Sequence, residues 1–175
     1  MKTYVTYGFA IALGNALVTL ICYLIGFHSD PDKIQMAGYL AAPVGLAVGI
    51  TATTFGMRAR RKTTPSTEEF RYGHAFATGF MIALFAAFFG AIFQYVYVAF
   101  INPDFIDLIQ QAQKAKLEAK GLSSDQVEHM QAIARTFMKP AALAIFSAIG
   151  IVIWGTVISL IAAAFVKRPA STPAA

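Results

Sequence analysis

Four long stretches without Asp, Glu, Lys or Arg constrain this chain more than any other feature: residues 4–27, 36–57, 72–101 and 141–166. Each reaches or exceeds the roughly 20 residues that cross a hydrocarbon core about 30 Å thick. In lipid the backbone must satisfy its own hydrogen bonds, so runs of this length are expected to be helices. Composition agrees. Hydrophobic residues make up 57% of the 175 and charged ones 13%, where a soluble domain carries about 25% charged residues. The expected fold class is all-α: a polytopic membrane protein with four transmembrane helices. The first run follows Lys2, as a signal peptide would, but it is too long for an h-region and no small-x-small site closes it. It is read as a retained helix.

Orientation comes from Lys and Arg near the span ends. One side carries Lys2, Arg58, Arg60, Arg61, Lys62, Arg71, Lys167 and Arg168. The other carries Lys33, Lys114, Lys116, Lys120, Arg135 and Lys139. The first set is concentrated in the short 58–71 connection and at the edge of the last span, whereas half of the second lies deep in a long loop. Both termini are therefore expected in the cytoplasm. The net charge of +5 belongs to this topology signal, so no nucleic-acid partner is expected; phosphate binding needs a basic face clear of the bilayer. Cys22 is the single cysteine, which rules out an intramolecular disulfide.

Residues 102–139 form the one sizeable segment between spans and are expected on the periplasmic side. Asn102-Pro103-Asp104 looks like a helix start, with Asn as N-cap and Pro at the first position. Phe105, Leu108, Ile109, Ala112, Ala115 and Ala119 then recur at helical spacing. Gly121 ends that helix as a left-handed cap. Ser123 with Gln126 makes a capping box for a second amphipathic helix, whose apolar stripe is Val127, Met130, Ala134, Phe137 and Met138. The pair is expected to pack as an extramembrane helical hairpin; the competing arrangement lays at least one of the two on the bilayer surface. The Pro- and Ala-rich tail, residues 169–175, is expected to be disordered.

No charged residue lies deep in a span, and such residues are the usual mark of ion coupling or intramembrane catalysis. The polar groups inside the spans are mild: Asn15, Thr19, Gln94, Ser147, Thr156 and Ser159 among them. Side chains of this kind are expected to bond across helices, and Asn15 and Gln94 are the candidates for lining a solute path. Ala41, Gly45 and Gly49 fall four apart, as do Gly155 and Ser159, which gives candidate helix-packing faces. Trp154, in mid-span, is expected in the core with a partner for its N–H. Tyr4, Tyr7, Tyr72, Tyr95 and Tyr97 suit anchoring at headgroup level. His28, Asp30 and Asp32 alternate on a short loop, where turn chemistry explains them as well as a metal does. His74, near Glu68 and Glu69 at the opening of the third span, is the one candidate for interfacial chemistry. No catalytic set, cofactor motif or metal-ligand spacing is found.

Phe70-Arg71-Tyr72-Gly73-His74-Ala75-Phe76 followed by Gly79, then Asn102-Pro103-Asp104-Phe105-Ile106, then Pro140 opening a Gly- and Ser-containing last helix, together resemble DUF4199. That is a family of short bacterial membrane proteins of unknown function. The resemblance covers nearly the whole chain. It implies a four-helix protein of the bacterial inner membrane and supplies no activity or catalytic residue. The expected role is that of a non-catalytic assembly or accessory subunit with a membrane-protein partner or a second copy of itself. The alternative is a small oligomeric transporter or channel for an uncharged solute. A lipid-modifying enzyme working through His74 ranks third.

Overall fold

The computed structural model describes residues 1–65 and 67–170. They form six α-helices: α1 Lys2–Leu24, α2 Pro31–Lys62, α3 Tyr72–Val96, α4 Phe105–Ala119, α5 Ser124–Phe137 and α6 Pro140–Val166. Four are long and apolar enough to cross a membrane: α1, α2, α3 with its extension to Ile101, and α6. The protein is thus an all-α, four-span membrane protein. Of the tail, residues 171–175 lie outside the described residues.

Local chemistry sets the helix ends. The α1 helix stops at Leu24, short of the expected residue 27, because Gly26 takes φ 82° and turns the chain. The Gly26 N–H donates to Tyr23 O at 2.9 Å and the Phe27 N–H to Cys22 O at 2.9 Å, a Schellman closure. Gly121, at φ 78°, ends α4 in the same way: its N–H donates to Glu118 O at 2.9 Å and the Leu122 N–H to Leu117 O at 3.4 Å. The α2 helix is longer than the charge-free run 36–57 at both ends. Asp30 caps it, its Oδ1 accepting from the Asp32 N–H at 2.9 Å, and Pro31 follows at the first position. Arg60, Arg61 and Lys62 fill its last turn, where cations suit the negative end of the helix dipole. The capping box of Ser123 and Gln126 opens α5.

Asn102 is not the N-cap of α4. After Val96 the third span widens into one π-helical turn, Tyr97–Ile101, closed by the Asn102 N–H on Tyr97 O at 2.8 Å. The cap position falls to Asp104, whose side chain makes no cap bond. Asn102 is buried, and its amide is committed elsewhere: Nδ2 donates to His28 O at 2.9 Å and to Tyr97 Oη at 3.2 Å.

The α3 helix is the centre of the bundle, packed against α6, α1 and α2. Small residues allow the close approach. A Cβ on Gly155 would collide with that of Ala83, and one on Gly79 would lie 2.9 Å from Ser159 Cβ. Ser159 is fully buried and bonds back to Gly155 O at 2.6 Å, so it asks nothing of the opposing helix. Across the bundle, a Cβ on Gly8 would stand 2.6 Å from Phe85 Cβ and 2.9 Å from Ile82 O. The α4 helix packs against both α2 and α5, and Gln131 Nε2 donates to Gln110 O at 3.2 Å between α4 and α5.

One end of the bundle is clasped. Phe70 and Arg168 exchange backbone hydrogen bonds of 3.0 and 2.9 Å. The Arg168 guanidinium donates to Pro65 O at 2.8 Å and Thr64 O at 3.2 Å, and Arg61 reaches Val166 O at 3.1 Å. Buried Met57, Phe70, Ala75, Ala163 and Val166 pack beneath. Two of the topology arginines are thus structural ties between α2, the α2–α3 connection and the end of α6.

Gly8→Leu should separate α1 from α3, because the obstruction is backbone as well as side chain; overpacking of this sort costs about 1–3 kcal/mol. A lowered unfolding midpoint in detergent checks this. Gly73→Ala, where nothing lies within 4 Å of the added carbon, should change stability by less than about 0.5 kcal/mol.

Candidate functional site: a groove between two spans

Helices α2 and α6 touch where Ile158 Cδ1 approaches Gly49, 3.4 Å from where a Cβ would stand. Beyond that point they part. The space left between them is a groove of about 660 Å³, within the ~300–1,000 Å³ range of small-molecule sites. Its floor is α1 and α3, through Ile11, Ala86 and Gly90, and its walls are Gly38–Thr53 of α2 and Ser147–Ile158 of α6. Gly38, Ala42, Pro43 and Leu46 on one rim and Trp154 on the other are exposed, so the groove opens sideways toward the lipid. Pro43 interrupts α2 here; with no N–H, it takes one rung out of the helix ladder beside the opening.

The lining carries no charged residue. Its polar groups are Asn15, Thr19, Thr53, Gln94, Ser147 and Trp154. Several hydroxyls in the spans spend their proton on their own helix rather than across helices: Thr19 on Asn15 O at 3.0 Å, Thr156 on Val152 O at 2.7 Å and Thr78 on His74 O at 2.8 Å. Asn15 Nδ2 likewise donates to Ile11 O at 3.0 Å, leaving Oδ1 against the α-carbon of Gly45. The side chains of Gln94, Ser147 and Trp154 make no hydrogen bond among the described residues, and the polar atoms of Gln94 and Ser147 are not sealed from their surroundings. The groove therefore offers an amide, a hydroxyl and an indole N–H, each with unused hydrogen-bonding capacity.

The structure gathers Asn15, Gln94, Ala41, Gly45, Gly49 and Gly155 at this groove, six positions that the sequence offers as two unrelated sets. Ser159 lies below it, sealed in the α3–α6 contact. Trp154 corrects the sequence expectation: it is 62% exposed, a groove rim rather than core. Phe93, Pro43 and Gly150 also line the groove and carry no sequence signal that would have marked them.

The remaining candidates are elsewhere. His74 is exposed and Glu69 is paired with Arg71 at 2.6 Å. No hydrogen bond or ion pair joins His74 to Glu68 or Glu69 among the described residues. At the opposite end, Asp30 is used as a helix cap and as the partner of Lys33 at 3.0 Å. The Lys33 ammonium and the Asp32 N–H hold its carboxyl below the usual carboxylate range. His28 is buried, with Nδ1 2.7 Å from Tyr97 Oη. Tyr97 is not a headgroup anchor: it is 0% exposed, ringed by Tyr23, His28, Phe93 and Phe105. Since Asn102 donates to Oη, the tyrosine proton is directed to His28 Nδ1, which makes His28 neutral with its own proton on Nε2. Burial lowers the His28 pKa in accord with that arrangement. The cluster is a knot joining the α1–α2 connection to the end of the third span.

A family model described as Protein of unknown function (DUF4199) matches residues 6–168, and the chain belongs to that family. No curated protein and no solved structure matches it.

The knot predicts a pH dependence. His28 has a depressed pKa in the fold, so below its ordinary value of 6.5 the unfolded chain binds more protons than the folded one. Stability should therefore fall as pH drops below about 6.5. Unfolding midpoints measured across this range should show the slope in the natural protein and lose it in His28→Gln. Tyr97→Phe should cost about 1–3 kcal/mol at neutral pH, since it strands His28 Nδ1 and one N–H of the Asn102 amide, whose other bond to His28 O is kept.

Proposed function

We propose that this member of the family is a non-catalytic protein of the bacterial inner membrane that holds an uncharged amphiphile in the groove between α2 and α6. The carrying observation is the groove itself: apolar, free of charge, open to lipid, and furnished with Gln94, Ser147, Asn15 and Trp154 as polar contacts. A hydrocarbon or ring system fits the Gly- and Ala-rich walls, and a carbonyl, hydroxyl or amide head fits the unused donors and acceptors. A charged head would find no counter-ion there. The eight Lys and Arg at the clasped end against six at the other support cytoplasmic termini.

Handling of an uncharged molecule is thereby favoured over a purely structural role. The accessory-subunit reading keeps one supporting observation: Gly38 and Ala42 leave the exposed α2 rim without bulky side chains, which gives a partner helix room to approach.

Native mass spectrometry of protein released in mild detergent should show one neutral molecule per chain. Gln94→Leu or Asn15→Leu should reduce its occupancy, with affinity falling roughly tenfold for a lost hydrogen bond worth about 1.4 kcal/mol. Trp154 is the single tryptophan, so its emission reports rebinding directly. Protein that carries no such molecule, or whose occupancy ignores both substitutions, would overturn the reading; a stoichiometric protein partner in its place would favour the accessory role.

A further inference from the structure

The side chains of α5 divide into three arcs. At about 100° per residue, Val127, Gln131 and Ala134 fall together and face α4, as the bond from Gln131 to Gln110 O shows. Val127 is buried and the other two are half-buried. Asp125, Glu128 and Arg135 occupy a second arc and are exposed. Met130, Ile133 and Phe137 share a third, spanning about 60° of the helix and turned about 90° from the α4 side. All three are exposed, at 46%, 51% and 55%, so this apolar stripe faces neither α4 nor the charged arc.

The position of α5 indicates what covers it. Only Met138 and Lys139 separate Phe137 from Pro140, the first residue of α6, a reach of about 11 Å at most. At 27 residues, α6 is about 40 Å long and exceeds the ~30 Å hydrocarbon core. Its start therefore lies at headgroup level, and Phe137 lies there with it. The early turns of α6 already present Ile145, Phe146 and Ile149 outward, and Leu24, Ile25 and Phe100, at the matching ends of α1 and α3, are exposed as well. The α5 stripe continues this rim.

We propose that α5 lies along the outer membrane–water interface, with Met130, Ile133 and Phe137 in lipid and Asp125, Glu128 and Arg135 in water. The occupant of the stripe is the lipid surface itself. Because the charged arc mixes both signs, apolar burial rather than headgroup charge supplies the attraction, and the contact is insensitive to salt. The α4 helix is held off the membrane by its packing on α2 and α5, so one member of the pair is interfacial and the other is not.

The test is spin-label accessibility in vesicles of phosphatidylethanolamine and phosphatidylglycerol. It uses the full chain in a Cys22→Ala background, with labels at Ile133→Cys and, as reference, Glu128→Cys. Both are exposed positions whose substitution leaves the core intact. The proposal expects the label at 133 to collide several-fold more with oxygen than with a water-soluble nickel chelate, the label at 128 to show the reverse, and neither to change between low and high salt. Easy access of the nickel chelate to 133 would place the stripe in water and overturn it. Low access of both quenchers would mean a protein cover, such as a second copy, and would overturn it equally.

Discussion

The contact between α3 and α6 is the constraint on which the rest of the bundle depends. It brings two backbones together through Gly79 and Ala83 on one side and Gly155 and Ser159 on the other, and it leaves no unsatisfied polar group, because Ser159 bonds within its own helix. In a bilayer, where apolar side chains gain little by leaving lipid for each other, such close packing is a main source of cohesion. With α1 brought equally close to α3 through Gly8, three of the four spans form a dense block. The fourth, α2, is tied to the base by the arginine contacts and packs on α1 where Gly14 meets Val48 and Gly45 meets Asn15, but its first half leaves a gap toward α6. A groove is the geometric remainder of three helices that pack fully and one that does so only in part.

This division also separates two uses of small residues. At Gly79 and Gly90 of α3 and Gly155 of α6 they permit contact, and adding a methyl group there meets another atom at once. On α2, Gly38 and Ala42 face open space, and Gly49 touches only the end of one isoleucine. The same pattern of Gly and Ala four apart therefore makes an interface in one helix and a cavity wall in another.

How much of this is legible in the sequence depends on how local its cause is. The four spans, the capping box at Ser123, the left-handed turn at Gly121 and the start of α6 at Pro140 all follow from residues within a few positions of one another. The bounds of α2 are missed because charge-free length marks the lipid-compatible part of a helix and ignores the capped and basic turns that extend it. Asn102 is misread because an Asn-Pro-Asp run suits a helix cap, while a stronger competitor, the His28–Tyr97 pair, lies 69 residues apart along the chain and becomes adjacent only after folding. Tyr97 and Trp154 exchange their expected environments for a related reason. An aromatic residue in an apolar run must be covered by something, and the sequence does not distinguish protein from lipid. The groove is read from the gap between helices, a quantity with no local signature.

The clasp at Arg168 has a mechanical consequence. Two backbone bonds to Phe70, together with the arginine contacts to Thr64, Pro65 and Val166, fasten the bottoms of α2 and α6 to each other while their upper halves stand apart. The two helices are then the arms of a pair of tweezers, joined at the basic end. Since α6 is locked against α3, α2 is the arm with more freedom: Ala42, on the groove wall, is 20 residues from Lys62, about 30 Å along the arm, so that a tilt of only about 5° at the joint would move that wall by about 2.6 Å, half a helix turn in scale.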